Sequence, residues 1–195
     1  MYELQFDGLF RGVGGNYDGP PTAGFMCYGW LITHDDVLIA HGHGAFAHSR
    51  DATSNVAEYL ALIEGLEALD DLNWTGEPVI ITGDAKCVIE QMQGNAQVNS
   101  TRIRPLYERA RRLADGFHKI RWNWRPRRHN KQADALTRRA MRQVRLDQKQ
   151  YQEVIRRITR RKENQRPTKK LLSLMDLRVY QAGAAGVRML PVAGD

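Results

Sequence analysis

The sequence contains few cysteines and no long apolar run. Cys27 and Cys87 are the only cysteines among 195 residues, too few for a disulfide framework, and no Cys/His group has zinc-like spacing, so we expect a reducing compartment. No stretch of about 18 consecutive apolar residues occurs, and the N-terminus has no basic segment followed by an apolar one. We therefore expect a cytoplasmic protein that neither spans a membrane nor is secreted.

Positive charge is scarce over the first half of the chain. Residues 1–101 hold 3 Lys/Arg against 14 Asp/Glu, a net charge of −11, whereas residues 102–195 hold 26 against 8, a net charge of +18. The excess is concentrated in residues 138–170, with 13 Lys/Arg against 3 Asp/Glu. Clustered Lys/Arg neutralises phosphates and releases counterions, so the basic C-terminal half predicts nucleic-acid binding, although any single charge run could also be a solvated helical face.

The hydrophobic pattern predicts one compact domain and an appendage, with five strands and four helices in the order βββαβααβα. The strands are predicted at residues 2–7, 23–33, 36–47, 79–82 and 120–125. The helices are predicted at residues 56–69, 85–93, 102–115 and from 131 to about 163.

Four acidic residues lie beside apolar segments of these elements: Asp7, Glu58, Asp84 and Asp134. Asp7 is predicted to close the first strand, and Asp84 follows the fourth, at the edge where ligands bind in open α/β sheets. Each acid alone could be a helix cap or a solvated residue. Four converging carboxylates would repel one another, and hard divalent cations such as Mg²⁺ or Mn²⁺ would relieve the repulsion better than zinc, for which no His/Cys set is present.

The segments that contain these acids resemble, in order, the sequence blocks of the type I ribonucleases H. The matching segments are residues 6–8, 53–58, 82–86 and 130–136. The resemblance covers about residues 1–140 and implies an α/β domain with the ribonuclease H-like fold, in which a five-stranded mixed sheet with its first three strands antiparallel is flanked by helices. Residues 141–195 would then form a basic C-terminal extension, helical to about residue 163 and partly irregular beyond it.

The resemblance also implies a reaction. Asp7, Glu58, Asp84 and Asp134 would bind two Mg²⁺ ions about 4 Å apart, with Mn²⁺ as a substitute, and the protein would hydrolyse the RNA strand of an RNA·DNA hybrid to 5′-phosphate and 3′-hydroxyl ends. His129, five residues before Asp134, is the candidate proton shuttle, although it lies closer to that acid than the lid histidine of the familiar bacterial enzymes. The residues implied to contact the hybrid are Gly8, Thr53, Ser54, Asn55, Lys86 and Asn130.

Other functions fit the same sequence. The fold and metals could serve a nuclease for double-stranded RNA or branched DNA, or the protein could be a non-catalytic binder of hybrids or RNA. A pure binder gains nothing from four acids near phosphate, which favours an enzyme. The extension could be an electrostatic clamp, a docking helix or a solubilising appendage. We expect a monomer, with His41 and His43 on an exposed strand face rather than at a metal site.

Overall fold

The structure of the chain, a computed structural model, describes residues 1–13, 23–72, 77–159 and 171–181. Its strands are β1 (Tyr2–Gly12), β2 (Gly24–His34), β3 (Val37–His48), β4 (Val79–Gly83), β5 (Ile120–Trp124) and β6 (Leu172–Tyr180). Its helices are α1 (Ser54–Asp71), α2 (Lys86–Met92), α3 (Arg104–Ala114), α4 (Lys131–Leu146) and α5 (Gln148–Thr159).

The strands form one mixed sheet in the order β5-β4-β1-β2-β3-β6. The predicted antiparallel meander β1-β2-β3 is confirmed, and β4 and β5 add to it in parallel with β1. The α/β class is therefore confirmed, but the described residues contain six strands where five were predicted. The sixth strand, β6, pairs antiparallel to β3.

The sequence pattern concealed β6 because charged residues interrupt its apolar residues. Asp176 accepts a hydrogen bond from Tyr28 Oη at 2.7 Å, and Arg178 forms ion pairs with acids of α1. Both charges therefore gain partners only after the strand has docked. Outside that context the segment reads as a short apolar patch followed by polar residues.

Helices cover both faces of the sheet. On one face, α1 contacts β1, β2 and α3, so that Tyr59, Leu62 and Leu66 are fully buried. On the other face, Ala140 and Met141 of α4 and apolar residues of α5 pack in a second cluster with β2 and β3. A sheet covered on both faces explains the continuous apolar runs of β2 and β4.

Several predicted boundaries differ from those observed. β1 does not end at Asp7 but continues to Gly12, because its second half pairs with the first half of β2. The helix predicted from residue 131 to about 163 is divided at Asp147, whose backbone is extended and whose Oδ1 accepts a hydrogen bond from the Gln150 amide at 2.8 Å. Asp147 thus caps α5 and ends α4.

The C-terminal extension contributes to the folded domain. The boundary predicted at residue 140 falls inside α4, and Val154 and Ile158 of α5 are buried against the second core cluster. Residues 160–170 and 182–195, which include most of the segment predicted to be partly irregular, lie outside the described residues. In the described part of the chain, no helix combines the length and apolar composition needed to cross a bilayer.

His43 does not lie on an exposed strand face as predicted. It is fully buried where α4 covers β3, and its Nε2 lies 2.6 Å from Oε1 of Gln143. Burial lowers the pKa of His43 below its ordinary value. The histidine is therefore a core residue of the interface between the sheet and α4.

Candidate active site

Three of the four predicted acids converge at one edge of the sheet. Phe6 of β1 lies beside Gly83 of the parallel strand β4, which brings the next residues, Asp7 and Asp84, close together. Glu58 reaches the same point from α1 and accepts a hydrogen bond from the Gly8 amide at 3.0 Å. Carboxylate oxygens of the three acids all lie within 4.8 Å of one another. The arrangement offers an all-oxygen ligand set, which suits a hard divalent cation.

Two glycines allow the helices that carry the acids to approach the sheet. A Cβ atom at Gly8 would collide with the backbone of Ala57 and Glu58, so only glycine lets α1 lie this close to β1. A Cβ atom at Gly29, which pairs with Asp7, would collide with the backbone of α4. Both close approaches bring helical side chains to Asp7.

The electrostatics of the three acids show mutual repulsion. Burial, and next the charge of Asp84, raises the pKa of Asp7 to about 7. Burial and the charge of Asp7 likewise raise the pKa of Glu58 well above its ordinary value. The pKa of Asp84 is raised by burial, although the nearby Arg127 guanidinium opposes the shift. A bound cation would relieve this repulsion, so the residues fit a metal site.

The fourth acid, Asp134, lies beside this group but not within it. Its carboxylate accepts hydrogen bonds from Arg127 Nη2 and Arg138 Nε, each at 2.7 Å. Burial acts to raise the pKa of Asp134, but these two hydrogen bonds outweigh it and hold the pKa below its ordinary value. Asp134 is nevertheless near enough for its charge to raise the pKa of Asp7.

Sequence reasoning missed two residues of the site, Arg127 and Thr137. Thr137 is fully buried. Its hydroxyl oxygen lies 3.1 Å from Oδ2 of Asp7, to which it can donate a hydrogen bond. Its signal in the sequence is its position three residues after Asp134, on the same side of a helix. Arg127 carries no such signal, because it reaches Asp134 across a turn.

The predicted substrate-contacting residues of α1 lie around the start of that helix. Thr53 is its N-cap, with Oγ1 accepting from the Val56 amide at 3.2 Å, and Ser54 and Asn55 are exposed in the first turn. Lys86 is exposed at the start of α2 and forms an ion pair with Glu90 at 3.6 Å. Ser54, Asn55 and Lys86 are thus exposed and Thr53 is half-buried, and their contact with a substrate stays a prediction.

Asn130, also predicted to contact substrate, is instead fully buried. Its Nδ2 donates to the Phe6 carbonyl at 2.8 Å, which ties the start of α4 to β1 one residue before Asp7. Its Oδ1 is buried without a hydrogen-bond partner among the described residues. Asn130 therefore positions the acids rather than presenting its side chain to a ligand.

His129, the candidate proton shuttle, lies in a 3₁₀ turn, Arg127–His129, that precedes α4. It is exposed, and its Nε2 accepts a hydrogen bond from Arg128 Nε at 3.0 Å. Its hydrogen-bond partner is thus a neighbouring arginine rather than one of the acids.

The end of β5 supports the turn that carries Asp84. The indole Nε1 of Trp124 donates to the Asp84 carbonyl at 3.0 Å, and the Arg125 amide donates to the Gly83 carbonyl at 3.0 Å. Trp124 is 45% exposed, so its ring borders the acidic edge rather than the core. Together the two bonds fix the backbone on which Asp84 is carried.

A mixed sheet with acids on its first strand, directly after its fourth strand and on two flanking helices defines the ribonuclease H-like class of proteins. The model of the reverse transcriptase-like family matches residues 21–140. The chain therefore belongs to the reverse transcriptase-like family, and the resemblance to type I ribonucleases H that the sequence predicted is confirmed.

Similar proteins agree with this assignment. The chain is 38% identical over 128 residues to the bifunctional protein Rv2228c of Mycobacterium tuberculosis, covering 66% of this chain and 34% of that protein. It is 34% identical over 136 residues to ribonuclease HI of Halobacterium salinarum, covering 70% of this chain and 62% of that protein. The crystal structure of RNase H1 from Halobacterium salinarum matches with a TM-score of 0.61 and 32% identity, covering 73% of this chain and 98% of that one. The chain thus spans about a third of the length of its mycobacterial relative.

Proposed function

We propose that this protein is a metal-dependent endonuclease that hydrolyses the RNA strand of RNA·DNA hybrids. The observation that carries the proposal is the convergence of Asp7, Glu58 and Asp84 within 4.8 Å, with Asp134 beside them. A relative named ribonuclease HI supports the choice of reaction.

The ligand set favours Mg²⁺, with Mn²⁺ as a substitute. Asp7, Glu58 and Asp84 would hold one ion, and Asp134 would help to hold a second. Ions bound there would supply a water-derived nucleophile and would stabilise charge on the departing 3′ oxygen, and the products would have 5′-phosphate and 3′-hydroxyl ends. The protein contributes orientation: the Thr137 hydroxyl can fix the Asp7 carboxylate, and the Gly8 amide fixes that of Glu58.

The start of α1 provides groups suited to a hybrid. Recognition of RNA in a wide minor groove depends on 2′-hydroxyls, which short polar side chains and backbone groups can test. Ser54 and Asn55 are such side chains, and they lie on the same helix as Glu58. Gly8 of β1, whose amide donates to Glu58, offers backbone groups beside that acid. Thr53 at the helix N-terminus is suited to a phosphate of the DNA strand.

The proposal predicts metal-dependent cleavage of hybrid in preference to other duplexes. The protein is incubated with labelled RNA·DNA hybrid, double-stranded RNA, double-stranded DNA and a branched DNA junction, with Mg²⁺ or with EDTA. We expect hybrid to be cut to 5′-phosphate products only with the metal. Asp84→Asn should abolish cleavage, whereas Asp115→Asn, which removes an exposed acid at the end of α3, should retain it.

Each contrary result identifies a different function. Preferential cutting of double-stranded RNA or of the junction would identify that nucleic acid, and not the hybrid, as the substrate. Tight hybrid binding without cleavage under any metal condition would indicate a binding protein. Equal cleavage by Asp84→Asn and the unmodified protein would show that the acidic group is not the site.

Exposed basic residues of α4 and α5 form a second surface for nucleic acid, which we call the basic helical surface. The opposite side of α4 is buried against the sheet, so these side chains project outward. Arg138, Arg142 and Arg145 follow Asp134 at helical spacing, so this row of arginines begins beside the acids. The full surface comprises Arg138, Arg139, Arg142, Arg145, Lys149, Arg156 and Arg157.

Loss of charge from the basic helical surface should weaken hybrid binding. We expect the double variant Arg142→Gln/Arg145→Gln to bind hybrid about tenfold less tightly, and the slope of log affinity against log salt to fall by about 2. Binding is measured in EDTA, so that no substrate is cut. The double variant Arg112→Gln/Lys119→Gln removes the same charge from exposed positions on and after α3. An equal loss in both double variants would show an effect of net charge rather than of this surface.

A further inference from the structure

Two arginines contact the carboxylate of Asp134. Arg127 Nη2 binds Oδ1 at 2.7 Å, while Arg138 binds Oδ2 through Nε at 2.7 Å and Oδ1 through Nη2 at 3.4 Å. Both oxygens of Asp134 are therefore engaged by guanidinium groups. A cation that recruits this carboxylate therefore competes with these contacts.

Arg127 differs from Arg138 in how far its charge reaches. It hydrogen-bonds Asp134, and its charge also favours the ionised forms of Asp7, Glu58 and Asp84. The contacts of Arg138, by contrast, are with Asp134, four residues earlier on the same helix. Arg127 is thus placed where its positive charge acts on all four carboxylates.

We propose that Arg127 is an internal counter-cation of the acidic group, with which a divalent metal ion must compete for the four carboxylates. The inference rests on the proposed metal-dependent function and adds a residue that sets its metal affinity. The Arg127 guanidinium partly neutralises the negative charge of the acids that would attract the metal. It also repels an arriving ion, and it occupies Oδ1 of Asp134.

A purely structural role for Arg127 predicts an effect of opposite sign. If the guanidinium served only to hold Asp134 in place, its removal would disorder that carboxylate and weaken metal binding. If it is a competing cation, its removal makes metal binding tighter. The direction of the change therefore separates the two roles, and it can be measured without cleavage.

The test is binding of Mn²⁺ alone to the full chain, measured by electron paramagnetic resonance of the free ion and by calorimetry. Arg127→Gln should bind Mn²⁺ more tightly by about tenfold, a modest effect because the side chain is 62% exposed and solvent screens its charge. Arg127→Lys, which keeps the charge, should remain within about threefold of the unmodified protein. Arg128→Gln, which removes a neighbouring charge that contacts His129 instead of the acids, should not change the affinity.

Arg138→Gln provides a second variant if Arg127→Gln does not fold. It frees Oδ2 of Asp134 and should tighten Mn²⁺ binding by about twofold to threefold. Unchanged or weaker binding in a folded Arg127→Gln variant would overturn the inference, as would weaker binding in Arg138→Gln. Failure of the proposed function gives a different result. Mn²⁺ binding to the unmodified protein would then be absent, or Asp84→Asn would leave it unchanged, and both proposals would fall.

Discussion

Replacement of Asp7 by Asn is expected to lower the rate of hybrid cleavage by roughly a thousandfold and to make the metal-free protein more stable. At pH 8 in EDTA, the free energy of unfolding should rise by roughly 2–4 kcal/mol. Both effects have one cause, since Asp7 is 1% exposed and lies against Asp84 and Glu58. The carboxylate of Asp7 is a ligand for the metal that cleavage requires, and its negative charge destabilises the folded protein.

The pH dependence of this stabilisation has a definite sign. The pKa of Asp7 rises from 3.8 to about 7 on folding, so the folded protein binds the proton more tightly than the unfolded chain. The stability associated with that proton is fully present below about pH 4 and is lost as the pH rises through about 7. The advantage of Asn over Asp should therefore be small near pH 4, grow between pH 4 and 7, and be constant above pH 7.

Urea unfolding at pH 4.5 and pH 8, with EDTA or with Mg²⁺, measures these differences. Mg²⁺ should stabilise the unmodified protein more than the variant, because a ligand that binds the folded state raises its stability. Asp115→Asn, at a side chain that is 63% exposed, should change the free energy of unfolding by less than about 0.5 kcal/mol. Destabilisation of Asp7→Asn at pH 8 would show that Asp7 is not repelled by its neighbouring acids. Cleavage of hybrid by this variant at the rate of the unmodified protein would show that Asp7 is not part of the site.

A second large effect is expected from Arg178→Ala on β6, which should lower the free energy of unfolding by about 2–4 kcal/mol. Arg178 binds Glu64 at 2.8 Å, Asp71 at 3.0 Å and Glu67 at 3.3 Å, and so joins β6 to α1. Glu64 is only 8% exposed, and without Arg178 it would lose this counter-ion. Burial raises the pKa of Glu64, and the positive charge of Arg178 opposes that rise.

Chemical unfolding of Arg178→Ala beside Arg156→Ala tests this expectation. The ion pair of Arg156 with Glu153 is exposed on both sides, 69% and 67%, so its loss should cost less than about 0.5 kcal/mol. Hybrid cleavage below the melting transition should be retained in Arg178→Ala. Equal stability of the two would mean that β6 contributes little to the folded domain.

The elements and acids that could be predicted from the sequence are those whose signal is local. The alternation of β1 and the apolar run of β4 are visible in short windows, and Asp84 follows directly from the end of such a run. Glu58 could be placed because α1 begins with a capping residue, Thr53. These positions depend on neighbours that are close along the chain.

The features that sequence reasoning missed depend on distant partners. Arg178 looks unsuitable for a strand until the acids of α1 are beside it, and His43 looks like an exposed residue until α4 covers it. The burial of Asn130 depends on a carbonyl 124 residues earlier, that of Phe6. Arg127 resembles any other arginine of a basic segment, because only the fold brings it to the acidic group.

The pairing of β6 with β3 has a consequence for the order in which the protein folds during synthesis. Ala40 of β3 pairs with Tyr180, about 140 residues later, so all four acids are translated before this strand. Until β6 emerges, β3 is an open edge on which another chain could add a strand. The last described strand therefore covers β3 and takes its place at the edge of the sheet. A ribosome that stalls after Asp134 would hold a chain that has all four acids but in which β3 is still uncovered.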